Sequence, residues 1–141
     1  MRVDCALLCD AVTVREGLLH ILGGGITRMS RPEYPAQLGV ALALRVMVHP
    51  TEANAPHVVE AILLAQDGDE IGRARIDFEL SENATEGLTP GEELSVMLPI
   101  PLQQFPIPSA DAYSFELLID GIHQTSVPFT AAVGGPPNDE G

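Results

Sequence analysis

The sequence predicts an all-β chain, a single-domain antiparallel β-sandwich of about eight strands, Ig-like or jelly-roll-like, with little helix. Three observations carry this expectation. Apolar residues recur with period two in short runs, the signature of half-buried strands. Turn signals return roughly every eight to twelve residues, the spacing of sandwiches rather than of helical bundles. The chain has 12 Pro and 13 Gly, which break it too often for long helices. At 141 residues and 45% hydrophobic content it can bury a core without staples. Aromatic residues make up only 4%, so that core is expected to be Leu, Val, Ile and Ala.

Residues 3–9 form an apolar run with Asp4 and Asp10 at its margins. Asp10 could cap a helix over 9–19, but β-branched Val12, Thr13 and Val14 and the break at Gly17 limit it to one turn. Residues 18–22 and 26–29 read as strands around Gly23-Gly24-Gly25, a run free to take positive φ in a turn or bulge. Over 38–48, Val40, Leu42, Leu44, Val46 and Val48 share one face, and Ala41, Ala43, Arg45 and Met47 the other. Both faces are mostly apolar, so this strand is expected to be central and covered on most of its length.

Residues 58–66 and 71–80 read as a hairpin turning at Asp67-Gly68, because glycine supplies the positive φ such turns need. In its second strand Ala74, Ile76, Phe78 and Leu80 alternate with Arg73, Arg75, Asp77 and Glu79. Residues 81–92 are a polar loop, and 94–100 another strand. The prolines of 101–108 remove backbone donors, which suits a crossover between sheets. Tyr113, Phe115, Leu117 and Ile119 line one face of a strand that turns at Asp120-Gly121 into a return strand carrying Thr125, Val127 and Phe129. The domain is thus expected over 1–133, with a disordered Gly/Pro/acidic tail at 134–141.

Seven Arg and no Lys face 20 Asp and Glu, for a net charge of −13. Such a chain repels phosphate backbones, so neither nucleic acid nor an anionic membrane is an expected partner. The acid at Asp4 interrupts the start of any signal-like apolar core, and no run approaches about eighteen apolar residues. The expected compartment is the cytoplasm, where Cys5 and Cys9 would remain reduced and act as small hydrophobes.

Motifs of chemistry fail on spacing. Gly23-Gly24-Gly25 is followed by Ile26-Thr27-Arg28, not by the Gly-Lys-Ser/Thr of a phosphate loop. Arg28 and Arg31 could hold an anion, although so acidic a chain would use its few arginines in ion pairs. His49 and His57 bracket a proline-bounded loop with Glu52 between them, a conceivable two-His, one-carboxylate metal set. The loop setting argues instead for solvated imidazoles. Asp67, Asp69 and Glu70 lack calcium-loop spacing. The serines lack a nucleophile elbow. No catalytic residue, metal or cofactor is assigned, and the chain is not expected to be an enzyme.

The run Val3-Asp-Cys-Ala-Leu-Leu-Cys-Asp10, then Val14-Arg-Glu-Gly-Leu-Leu-His-Ile-Leu-Gly-Gly-Gly-Ile26 and Arg31-Pro-Glu-Tyr-Pro35, resembles a family of small uncharacterised bacterial proteins. The resemblance extends through Phe129. It implies a β-sandwich-like fold and a cytoplasmic, actinobacterial setting, and it implies no activity and no functional residues.

The expected function is a non-enzymatic protein-interaction or self-association module, with a protein or a second copy as partner. Leu7, Leu8, Leu19, Ile21 and Arg31 are the expected contacts, chosen because the apolar N-terminal segment could pair across chains. The alternative is a small-ligand or carbohydrate-binding sandwich using Tyr34, His49, His57 and Tyr113. A metal-dependent enzyme at His49 and His57 is the third reading.

Overall fold

Residues 1–134 are described by a computed structural model. Among them twelve strands form two packed sheets and two short ladders. The strands are β1 (Arg2–Cys9), β2 (Ala11–Arg15), β3 (Leu18–Leu22), β4 (Arg28–Arg31), β5 (Ala36–Gln37), β6 (Ala41–Val48), β7 (His57–Ala65), β8 (Glu70–Phe78), β9 (Leu94–Pro101), β10 (Pro106–Ile107), β11 (Asp111–Ile119) and β12 (Ile122–Val133). One sheet runs β1-β6-β9; the other runs β4-β12-β11-β7-β8. All pairs are antiparallel except β4 with β12, which run parallel. The architecture is the predicted β-sandwich, with more and shorter strands than the eight expected. The tail expected at 134–141 lies, from residue 135 onward, outside the described residues.

The core forms where the period-two faces meet. Leu42, Leu44, Val46 and Val48 of β6 face Val59, Ala61 and Leu63 of β7 and Phe115 and Leu117 of β11, all within 1% of complete burial. Each such branched or aromatic side chain contributes roughly 1.5–3 kcal/mol through its removal from water. The few aromatics concentrate there: Phe129 stacks on both Tyr113 and Phe115, with centroids 5.5 and 5.8 Å away.

A bulge adjusts β1 to this core. Val3 pairs with Val46 and Cys5 with Arg45, leaving Asp4 as the extra residue. Val3, Ala6 and Leu8 then pack inward, and Leu7 and Cys9 lie on the outer side of the sheet. That outer side is small at Cys9, Ala41 and Ala43, and Val12 and Ile21 cover it. The cover is the β2–β3 hairpin, which occupies the segment where one helical turn was expected. Two successive residues in left-handed backbone, Glu16 (φ 54°) and Gly17 (φ 72°), close its turn.

The prolines of 101–108 do carry the chain from one sheet to the other. Leu38 N–H donates to the Phe105 carbonyl (2.8 Å) and Gly39 N–H to that of Gln103 (2.9 Å), which leads into the two-residue ladder of β5 and β10. Phe105 lies over Gly72 of β8 and meets Phe115 edge-on at 6.0 Å. Both predicted hairpins are present, with positive φ at Gly68, Asp120 and Gly121. Among the described residues no helix is long and apolar enough to cross a membrane.

Candidate functional site

The β2–β3 hairpin carries two of the four exposed large hydrophobic side chains among the described residues; the others, Ile122 and Val133, stand at the two ends of β12. The hairpin's ladder pairs Ala11 with Leu22, Val12 with Ile21, Thr13 with His20, Val14 with Leu19 and Arg15 with Leu18. Alternation sends Val12, Val14, Leu19 and Ile21 toward the sheet, where each is half-buried. The six residues of the opposite face are exposed. Leu18 keeps 58% of its surface in water and Leu22 keeps 70%. None of the six outward residues is Asp or Glu, although the chain carries 20 of them.

Beside the turn, Cys5, Leu18, Leu19, Arg45 and Met97 line a shallow cleft of about 330 Å³. The Arg45 guanidinium is held by both oxygens of Asp4, each at 2.8 Å. The bulge makes this possible by setting Asp4 and Cys5 together opposite Arg45. The hydrogen bond from Arg45 keeps the Asp4 carboxyl below its ordinary range.

The residues expected to make contacts are placed differently. Leu8 is 1% exposed and belongs to the core, because it shares its face with Ala6. Leu7 packs half-buried beside the Cys9 cluster, and Ile21 covers that cluster. Leu19 lines the shallow cleft. On the hairpin the exposed large apolar side chains are their alternation neighbours, Leu18 and Leu22. Arg31 is half-buried on β4, donating to the carbonyls of Ser30 (2.9 Å) and Leu38 (2.7 Å).

Tyr34, His49, His57 and Tyr113 do not converge as one set: the two histidines meet the Pro50–Glu52 turn, apart from the two tyrosines. Tyr113 is 3% exposed, and its hydroxyl donates to the Ser109 carbonyl at 2.7 Å. The Tyr34 hydroxyl donates to the Ala132 carbonyl at 2.9 Å. His57 lies beyond the Ile119 end of β11 and Tyr113 near its start, so most of a strand separates them. His49 is exposed, and its ring caps the 3-10 turn Pro50–Glu52.

His57 is not a solvated loop residue but a buried one, 8% exposed. Nδ1 lies 2.7 Å from Asp120 Oδ2 and Nε2 lies 2.7 Å from the Glu52 carbonyl. Val58 N–H donates to the other Asp120 oxygen at 2.9 Å. Burial works against charge on His57, yet the bonds to Glu52 and Asp120 outweigh it and raise the imidazole above its ordinary value. Burial likewise opposes the Asp120 charge, and the His57 hydrogen bond overcomes it and lowers that carboxyl. A histidine oriented by an aspartate has the geometry of a general base. Here, however, the second nitrogen meets a backbone carbonyl rather than a nucleophile.

The side chains of the conceivable metal set are turned to other partners: the His49 ring to Thr51, the His57 ring to Asp120 and the Glu52 carbonyl. The Glu52 carboxylate accepts from the Met1 amino group (2.9 Å) and from His49 N–H (3.2 Å). Among the described residues no three His, Cys, Asp or Glu side chains cluster as metal ligands do.

The model of DUF6941, a family of unknown function, matches residues 4–132. No curated protein matches the chain.

Proposed function

The chain belongs to this family of unknown function, and from that premise we propose a non-enzymatic module that self-associates through the open edge of β3. The observation that carries the reading is the exposure of Leu18 and Leu22, at 58% and 70%, on a hairpin face without carboxylates. Among the described residues β3 pairs with β2 alone, so its other edge offers unpaired N–H and C=O groups.

A second copy would pair with it antiparallel about a two-fold axis at His20. Leu18 then stands opposite Leu22 of the second copy, and each exposed leucine covers another. The absence of acids from this face limits the repulsion between two chains of charge −13. A five-residue edge falls well short of the ~800 Å² per side typical of stable complexes. The association is therefore transient, in the micromolar range or weaker.

Sedimentation velocity from about micromolar to about millimolar protein tests this. A concentration-dependent dimer is expected, lost in His20→Glu, which sets two carboxylates opposite each other, and in Leu22→Glu. Both positions are exposed, so the far-UV circular dichroism should stay unchanged. A monomer throughout, or folded variants that dimerise like the parent chain, would overturn the proposal.

A further inference from the structure

Four of the seven arginines meet carboxylates: Arg2 with Glu93, Arg45 with Asp4, Arg73 with Glu60 and Glu70, and Arg75 with Asp77. Among the described residues Arg15, Arg28 and Arg31 do not, in a chain with far more acids than bases. Among the described residues the expected use of the few arginines in ion pairs is thus seen at four of them and not at these three. Two of them, Arg28 and Arg31, line the same cleft of about 380 Å³ beside β4. Half-buried Ile26 supplies apolar wall, Met29 and Val40 reach the cleft only at the 5% of their surface left by the core, and Asp10 stands among the lining residues.

Arg31 is fixed before any ligand arrives. Two of its nitrogens donate to the carbonyls of Ser30 and Leu38. Gly39 permits this position, since a Cβ there would lie 2.6 Å from Arg31 Nη2. A guanidinium has five N–H donors and does not give up its charge, so donors remain after two bonds to neutral carbonyls.

We propose that this cleft binds a small monocarboxylate with a compact apolar body. Its carboxylate would meet Arg31 and Arg28, and its body would rest chiefly on Ile26, with the small exposed edges of Met29 and Val40 beneath it. Two guanidinium charges and the Asp10 carboxylate leave a single net positive charge, which a monoanion neutralises, whereas a dianion would leave excess negative charge in a chain that already carries −13. The volume lies near the lower end of the roughly 300–1,000 Å³ found for small-molecule sites. This site is separate from the β3 edge, and either proposal can fail alone.

The test is a two-dimensional amide NMR titration of the full chain with benzoate, against inorganic phosphate and chloride at matched ionic strength. Saturable shifts are expected at Ser30, Arg31, Gly39 and Val40 with benzoate, with a Kd of about millimolar. Phosphate should bind more weakly. Arg28 is exposed, and Arg28→Gln should fold normally and weaken benzoate about fivefold, the value of an exposed charge contact. Three results would overturn the proposal: no saturation with benzoate, equal or tighter binding of phosphate, or unchanged affinity in folded Arg28→Gln.

Discussion

His57 has an acceptor against each ring nitrogen, and only the imidazolium can donate to both. The raised histidine contributes stability that is fully present below its ordinary value of 6.5 and is lost as pH rises through the folded value. The lowered Asp120 contributes stability present above its ordinary 3.8 and lost as pH falls through its folded value. The pair therefore works between those limits. Asp120→Asn keeps a residue that tolerates the left-handed backbone at φ 51°. It is expected to cost about 1 kcal/mol, at the low end for a buried partner because Asp120 is itself 43% exposed. Urea midpoints measured from about pH 6 to 9 should fall with pH in the parent chain and flatten in the variant. An unchanged alkaline slope would mean that His57 holds no extra proton in the fold. Part of this was legible: His57, Val59, Ala61 and Leu63 alternate onto one face, which already points His57 inward. Asp120, 63 residues away, becomes its partner only through tertiary pairing.

Among the elements, β6 was the most readable, since its two apolar faces announce a strand covered on both sides. The β2–β3 hairpin was hidden by its turn. Glu16-Gly17 closes it where Asn-Gly or Asp-Gly would have signalled a hairpin, and Glu16 occupies a left-handed backbone that glutamate seldom adopts. The same hairpin shows the limit of reading hydrophobicity without a face: Leu18 and Leu19 look alike in sequence, and only the ladder register decides which one is wet. The crossover 101–108 was legible as a crossover but not as a lid. A Cβ at Gly72 would sit 2.7 Å from the Phe105 ring, while the glycine's backbone itself needs no positive φ. Gly72→Ala should therefore displace Phe105 and cost about 1–3 kcal/mol in urea denaturation, the usual penalty of overpacking. In a Phe105→Leu background the loss should shrink, because the two positions are in contact. Equal losses in both backgrounds would place the strain elsewhere.

At the scale of the whole molecule, period two reveals which face is buried but not which strand lies alongside. Nothing in the segments themselves brings β1 to β6, or sets β4 parallel to β12 at the edge of the larger sheet. The candidate surfaces share this limit, since the cleft beside β4 is assembled from stretches that adjoin only after folding. The charge, in contrast, is fully legible and has a measurable effect. The arginine–carboxylate pairs are largely exposed and each adds little. The repulsion of a −13 chain acts over the entire surface. Raising salt from about 10 to about 150 mM shortens the screening length from about 30 to about 8 Å and should raise Tm in differential scanning fluorimetry. A fall in Tm would show that the arginine pairs outweigh the repulsion.

The hairpin that covers Cys9 also gives the protein an internal gauge. Cys9 has no exposed surface, its thiol donates to the Ala41 carbonyl (3.6 Å), and burial raises its pKa, whereas Cys5 is only half-buried. Alkylation of Cys9 must wait until Val12 and Ile21 lift away. Its modification rate, set against that of Cys5 in the same sample, therefore measures how often the cover opens, and anything that clamps or loosens the hairpin becomes readable from one sulfur atom.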